Sequence, residues 1–286
     1  MKKNAITLLF CFLTAMTAVA QDNSLQVMTF NIRYNNAGDS INAWPNRIEK
    51  VSSQILYHQP QVLGVQEALW GQMQDLQQAL PQYKFVGGGR DDGAKKGEFS
   101  AIFYDTTRIQ LLDTKTFWLS ETPEAVGVKG WDANLPRIVT YARFRDRKTR
   151  KVFYHFNTHF DHRGRVARSE SAKLLLQRVN DIAGKTPAVI TGDFNAHPDD
   201  EPIRIILDEK NPLHLKDSKA LSKTPHYGPH GTSNGFRAHE NSNEPIDYIF
   251  LKGKWDVWQH ACISQTWKGL FASDHFAQIA RLTFGK

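Results

Sequence analysis

Short apolar runs that each stop at an acid, an amide or an imidazole limit most strongly what this chain can become. VMTF runs into Asn31, LGVQ into Glu67, and FYHFNT into His159. AVITG leads into Asp193 and then Asn195, Asp247 opens YIFL, and Asp274-His275 stand before FAQIA. Runs this short and rich in β-branched and aromatic residues read as buried strands. Polar residues at strand ends are where rigid scaffolds hold reactive groups. Singly, each has a plainer reading: Asn31 and Asn195 suit turns, Asp193 a cap, and Asp247 the turn before a strand. Their recurrence at run after run argues against turns alone.

Helical periods lie between these runs. Residues 47–58 place Ile48, Val51, Ile55 and Leu56 on one face before Pro60, and a second helix covers 69–80 before Pro81. Strands are predicted at 25–30, 62–67, 83–86, 99–104, 108–119, 137–145 and 151–159. The last two face each other across the polar turn Asp146-Arg147-Lys148-Thr149. A helix over 166–182, a strand over 188–194 and a short helix over 201–209 follow. Residues 211–244 show no period, and strands return at 246–251, 255–263 and 276–284. No linker divides these elements. They make one α/β domain over 21–286, with antiparallel strands inside and helices outside.

The first 20 residues, MKKNAITLLFCFLTAMTAVA, read as a secretory signal peptide. Lys2 and Lys3 form the basic start, and Ala18-Val19-Ala20 the site after which cleavage is expected. The apolar stretch is too short for a membrane span, so the mature chain is expected to be secreted or periplasmic, with no stable membrane insertion. Cys11 sits too early for a lipoprotein attachment site. Loss of the two lysines lowers the formal charge from +7 to about +5. That charge favours phosphorylated partners only mildly and is modest for a duplex-binding protein. Even RFRDRKTRK (143–151) falls across the expected hairpin turn and reads as a solvated loop. Cys262 is then the one thiol; it can form no internal disulfide, and a buried strand position suits it better than nucleophilic chemistry.

The polar residues share one chemistry. Glu67, Asp274 and the Asn31 carbonyl oxygen are hard donors suited to Mg²⁺ or Mn²⁺, ions that bind few carboxylates and add substrate phosphate oxygens. There is no H-E-x-x-H and no Cys/His cluster, which disfavours zinc. The remaining histidines and carboxylates can activate water and stabilise a pentacovalent phosphorus. One rival motif exists. Gly231-Thr232-Ser233-Asn234-Gly235 matches G-x-S-x-G, with Asp247 and His275 following in the order of a serine esterase. A nucleophile elbow needs a strand before it and a helix after it, and TPHYGPH and RAHENSNEP offer neither. A non-catalytic binding module would be favoured by a missing ligand or histidine, and none is missing.

TFNIR (29–33), VQE (65–67), NTHFDH (157–162), GDFN (192–195), IDYIF (246–250) and SDHF (273–276) occur in an order that resembles the DNase I-like endonuclease/exonuclease/phosphatase superfamily. The resemblance covers essentially all of 25–284. It implies a four-layer αββα sandwich of two mostly antiparallel sheets. It also implies a Mg²⁺- or Mn²⁺-dependent phosphoesterase that works by in-line attack of water. Glu67 resembles the metal-binding glutamate, with Asn31 and Asp274 near the same ion. Asp193 looks like the residue that orients or deprotonates the water, and Asn195 like its phosphate-contacting neighbour. His275 would contact a non-bridging oxygen while Asp247 holds its other ring nitrogen, and His159 would stabilise charge on the phosphoryl group. Arg168 and Tyr104 are weaker substrate-binding candidates, with surface pairing or packing the competing reading. FWLSETP (117–123) and HYGPHGTSNGF (226–236) resemble segments of a secreted bacterial branch, in which Trp118, Asn234 and Phe236 would line the pocket. Core packing is an equal reading for Trp118. No groove-binding insertion is visible. A small ester (nucleotide, lipid head group, sugar or inositol phosphate) is therefore favoured over DNA or RNA as the substrate of an expected monomer.

Overall fold

The computed structural model describes residues 23–237 and 243–285, so the expected signal peptide lies outside the described residues. The apolar runs become strands β1 (Leu25–Asn31), β2 (Val62–Ala68), β3 (Tyr83–Val86), β4 (Phe99–Asp105), β5 (Ile109–Trp118), β6 (Ile138–Asp146) and β7 (Val152–His159). They continue as β8 (Ala188–Asp193), β9 (Lys216–Asp217), β10 (Asp247–Lys252), β11 (Trp255–Ile263), β12 (Thr266–Trp267), β13 (Leu270–Phe271) and β14 (Ala277–Phe284). The helices are α1 (Ile48–His58), α2 (Trp70–Ala79), α3 (Arg165–Ala183) and α4 (Glu201–Leu207). One six-stranded sheet runs β11-β14-β1-β2-β4-β3, and a second runs β5-β6-β7-β8-β10-β9.

Each large sheet holds one parallel pair, β1 with β2 and β7 with β8, among antiparallel neighbours. A parallel pair needs a crossover, and α1 and α3 supply them. Parallel pairing also sends both C-terminal ends to the same edge. Asn31 lies opposite Gln66, beside Glu67, and His159 lies opposite Asp193. The topology thus delivers polar strand ends from both sheets to one rim.

Three apolar layers hold the sandwich together. Val51, Ile55, Met73 and Leu76 of α1 and α2 pack on Met28, Phe30 and Leu63 of the first sheet. Leu175, Leu176, Val179 and Ile203 of α3 and α4 pack on Phe156, Ile190 and Phe250 of the second. Between the sheets lie Val27, Val62, Ile102, Phe144, Phe153, Val189, Ile249 and Leu282. Strands such as β1 are therefore apolar on both faces, as buried sheets require, and the order of layers is the expected helix, sheet, sheet, helix.

Toward the rim this inner layer turns polar. Gln66 Nε2 donates to Thr29 Oγ1 at 3.0 Å and to Asn157 Oδ1 at 2.6 Å. Asn157 Nδ2 donates across to the carbonyls of Val65 and Ala101 at 2.9 and 2.8 Å. Thr191 Oγ1 sits 3.0 Å from Asn157 Oδ1 and 2.7 Å from His155 Nε2. This seam approaches β2 so closely that a Cβ on Gly64 would fall 2.2 Å from Thr191 Oγ1. Only glycine fits there.

The described part of the aperiodic stretch 211–244, up to residue 237, is better organised than its composition suggests. It supplies β9, a bridge from Tyr227 to Ala261 and a bridge from Ser233 to His275. Ser233 thus lies in an extended segment, and a turn closed by Arg237 N to Asn234 O follows it rather than a helix. This removes the serine esterase reading. Two 3₁₀ helices, Ala37–Asn42 and Trp44–Asn46, and the β12–β13 hairpin were too short for periodicity to show. Cys262 is buried on β11, as expected.

Candidate active site

Glu67 and Asn195 adopt left-handed backbone conformations, with φ of +65° and +48°. Glu67 also falls where the β2–β4 ladder slips between Gln66 and Ala68. Such conformations are uncommon for residues other than glycine and concentrate where side chains must be aimed. Here they turn two polar side chains toward the rim.

A chain of hydrogen bonds joins the sheets there. Asn31 Nδ2 donates to Glu67 Oε1 at 3.0 Å and to Asp193 Oδ2 at 2.9 Å. Tyr34 N–H donates to Glu67 Oε2 at 3.1 Å, and Asn195 N–H to Asp193 Oδ1 at 2.9 Å. Asn195 Nδ2 donates to the Phe160 carbonyl and meets His159 Nε2, each at 3.0 Å. Because that nitrogen is a donor, His159 Nε2 is an acceptor and the ring proton belongs on Nδ1. Two carboxylates back the two histidines: Asp247 Oδ2 lies 2.9 Å from His275 Nδ1, and Glu98 Oε2 lies 3.7 Å from His159 Nδ1. Both imidazoles turn their other nitrogen to Asp193 Oδ2, at 3.6 Å from His159 and 3.9 Å from His275.

Burial and crowding set the charges. Desolvation, reinforced by Asp247, pushes Asp193 up to about 7. Burial and nearby Glu67 raise Asp274, although His275 and Arg33 oppose this. Burial alone would lower His275, but Asp247, Asp193 and Asp274 hold it well above the ordinary imidazole range. His159 moves the other way, driven well below that range by burial and by Arg137 and Arg90.

Carboxylates held up by burial and mutual repulsion are the environment that a divalent cation relieves. One ligand atom each from Glu67, His159 and Asp193 lies within 4.8 Å of the others, and so it is for Asp193, Asp247 and His275. Asp247 Oδ1 is buried and has no hydrogen-bond partner among the described residues. The donors fit a hard divalent ion. The ligand set differs from the expected one at Asn31. Its Oδ1 accepts from Arg33 N–H at 3.0 Å, so the amide presents nitrogen, not oxygen, to the carboxylates. Asp274 lies on the Arg33 side, 3.7 Å from Nε.

Other expected site residues lie elsewhere or act indirectly. Tyr104 pairs with Val62, at the opposite end of β2 from Glu67, and packs at a tilt against Phe144 between the sheets. It is a core residue. Arg168 on α3 donates to the Asp161 carbonyl at 2.9 Å and so fastens the segment after His159. Trp118 is buried, with its indole N–H on the Arg90 carbonyl at 2.7 Å. Asn234 is also buried; its backbone N–H and side-chain Nδ2 hold the carbonyls of Asp274 and Ser273 at 2.7 and 3.2 Å. Phe236 packs against Cys262, Phe271 and Phe276.

Sequence reading passed over Glu98, Arg137 and Arg47. Glu98 and Arg137 stand just before FSAIFYD and IVTYARF, so the strand-end rule, applied to the starts of antiparallel strands, would have found them. Arg47 gave no such signal. Its buried guanidinium donates to the carbonyls of Ile32, Ala272, Arg33 and Asn42, clasping the segments that carry Asn31 and Asp274.

Comparison with known proteins gives a consistent result. The sequence model of the endonuclease/exonuclease/phosphatase family matches residues 28–275. Protein angel of Drosophila melanogaster is 27% identical over 222 residues, 72% of this chain. The chain spans about three fifths of the length of the curated relatives it matches, 58% in the case of angel. A Bacteroides vulgatus endonuclease/exonuclease/phosphatase is 38% identical, with a TM-score of 0.86 over 91% of this chain and 99% of its own. The Bacteroides thetaiotaomicron mannosyl-6-phosphatase is 35% identical, also at 0.86, over 91% of this chain and all of its own. The human Nocturnin catalytic domain, at 20% identity and a TM-score of 0.72 over 92% of this chain and 95% of its own, shares the fold.

Proposed function

The chain belongs to the endonuclease/exonuclease/phosphatase family, and from that premise we propose that it is an exported, divalent-cation-dependent hydrolase of small phosphate esters, acting as a monomer. One observation carries this reading: Asp193 receives hydrogen bonds from Asn31 and Asn195 while His159 and His275 flank the same carboxylate. A base, two imidazoles and an adjoining glutamate are thereby held around a single space.

Asp193, raised by burial, accepts a proton near neutral pH and suits the task of orienting and deprotonating the attacking water. His275, kept protonated by Asp247, donates to a phosphoryl oxygen as negative charge builds. His159 and Asn195, bonded to each other, line the other side. A divalent ion held by Glu67 with its carboxylate neighbours would supply charge neutralisation and polarise the ester. The 35% identity to a mannosyl-6-phosphatase favours a sugar phosphate within the small-ester class.

The test uses the mature chain, 21–286, with Mg²⁺, Mn²⁺ or EDTA against a sugar monophosphate, an aryl diester, sphingomyelin and plasmid DNA. Turnover of the sugar phosphate that EDTA abolishes is expected, with the plasmid intact. Plasmid cleavage without small-ester turnover would replace this reading with a secreted nuclease. The mass of the exported protein checks cleavage after Ala20.

A further inference from the structure

A cavity of about 670 Å³ opens between the second half of α1 and the β12–β13 hairpin, and it shares no lining residue with the candidate active site. Trp267 and Ile263 form one wall and also pack against the apolar layer beneath α1 and α2. Tyr57 comes from α1, and Tyr227 from the segment bridged to Ala261 of β11. These two rings are 84% and 75% exposed, so they contribute almost nothing to the core. Ser53, Gln54 and Gln265 add hydroxyl and amide groups. Gln54 stands apart from the others: it is only 6% exposed, and its Oε1 has no hydrogen-bond partner among the described residues. Buried acceptors rarely stay unpaired, and stranding one costs about 1–3 kcal/mol. A turn about the last side-chain bond exchanges the oxygen for the amide nitrogen, so this group can meet either a donor or an acceptor.

The lining selects its ligand by what it lacks. None of its side chains is Asp, Glu, Lys or Arg. His58 is its one imidazole, and burial lowers its pKa, which keeps it neutral at pH 7. An anion finds no compensating cation in such a lining, and a purely apolar ligand would leave the amides unmet. Hydroxyl groups both donate and accept, as the serine and glutamine side chains here do. The faces of tyrosine and tryptophan rings carry the negative end of a quadrupole, which draws the polarised C–H groups of a saccharide ring. Tyrosines also give rigid amphipathic contact area at little cost in conformational entropy. The volume falls within the range of about 300–1,000 Å³ usual for ligand sites and leaves room for more than one ring.

We propose that this cavity is a binding site for neutral oligosaccharides, with Tyr57, Tyr227 and Trp267 as platforms and Gln54 as a polar anchor. The site is separate from the reaction centre and does not rest on the phosphoester reading.

Calorimetric titration of the mature chain with mannotriose, maltotriose and triacetylchitotriose tests this, with trigalacturonate as the anionic comparator. At least one neutral trisaccharide should bind with a Kd of about 1 mM or tighter, and more tightly than the anion. Tyr57→Ala and Tyr227→Ala should each weaken that binding about fivefold or more. Both rings are exposed, so the unfolding midpoint should move by no more than about 2 °C. Gln54→Leu should weaken binding while keeping or raising the midpoint of the free protein, because it removes a stranded acceptor without emptying its place. Loss of stability in Gln54→Leu with binding intact would overturn the role given to Gln54. Failure of all three neutral trisaccharides to bind at about 10 mM overturns the site. So does binding that is unchanged in both tyrosine variants, or a preference for trigalacturonate. A concentration-dependent dimer that Tyr57→Ala dissolves would give the cavity to a second copy of the chain and overturn the assignment as well. No phosphate ester enters these titrations, so their outcome is independent of whether the chain hydrolyses one.

Discussion

Alanine at Gly64 should destabilise the fold by about 2–4 kcal/mol, whereas alanine at Gly71 should stabilise it by up to about 1 kcal/mol. A Cβ on Gly64 would lie 2.2 Å from Thr191 Oγ1 and 2.4 Å from Asn157 Oδ1. Non-bonded heavy atoms rest at roughly 3.5 Å, so the overlap exceeds an ångström. Neither neighbour can swing aside freely. Thr191 is held by His155 and Asn157, and Asn157 by Gln66 and the carbonyls of Val65 and Ala101. Relief breaks one or two buried hydrogen bonds, each costing about 1–3 kcal/mol when a partner is stranded. At about 2–4 °C per kcal/mol for a chain of this size, the thermal midpoint should fall by about 4–16 °C. At Gly71, near the start of α2, a Cβ meets nothing within 4 Å, and only helix propensity changes. Urea unfolding followed by tryptophan fluorescence and far-UV circular dichroism reads both variants. A Gly64→Ala protein within about 0.5 kcal/mol of wild type, or a shift of the same sign for both, would refute the account of the seam.

Asp247→Asn removes the charge that keeps His275 protonated and aimed, so kcat should fall about 10²–10³-fold with the midpoint nearly kept. Steady-state kinetics beside a melting curve checks this, and near-wild-type turnover would contradict it. Tyr104→Phe should leave kcat/KM unchanged, since the ring packs between the sheets away from the rim; a large loss would restore Tyr104 to the site. At the β6–β7 turn, burial alone would raise Asp146, but Arg108, Thr149 and the Lys148 N–H hold it below the ordinary 3.8. A carboxyl depressed in the folded state stabilises fully above the unfolded value and loses that contribution as pH falls through its folded value. Urea midpoints should therefore drop below about pH 4 in the wild type, and Asp146→Asn should be weaker by about 1.5–3 kcal/mol at pH 7 and lose less on acidification.

The strands and long helices were legible because apolar periodicity acts locally. Residues 47–58 became α1 (Ile48–His58), and 166–182 became α3 (Arg165–Ala183), within a residue or so at each end. The same locality explains why polar residues ending apolar runs could be picked out before any contact was known. What composition could not carry was partnership. That Asn31 would present nitrogen rather than oxygen depends on Arg33 N–H, and that Tyr104 faces away depends on its strand running antiparallel to β2. Asn234 and Thr232 lay in a stretch without period, yet they anchor the Asp274 and Asp247 segments through backbone contacts that no pattern encodes. Arg47 was invisible for a related reason, since all its hydrogen-bond partners are carbonyl groups common to every residue.

The left-handed backbone at Glu67 sets heat resistance against the part in catalysis proposed for this residue. Glycine at that position would relax a twist that costs about 1–3 kcal/mol in other residues, and would also thin a crowd of like charges. A library sorted only for survival on heating should therefore enrich Glu67→Gly, and its hardiest members should be among its least active. Lineages that keep glutamate there bear witness to continued use of the site.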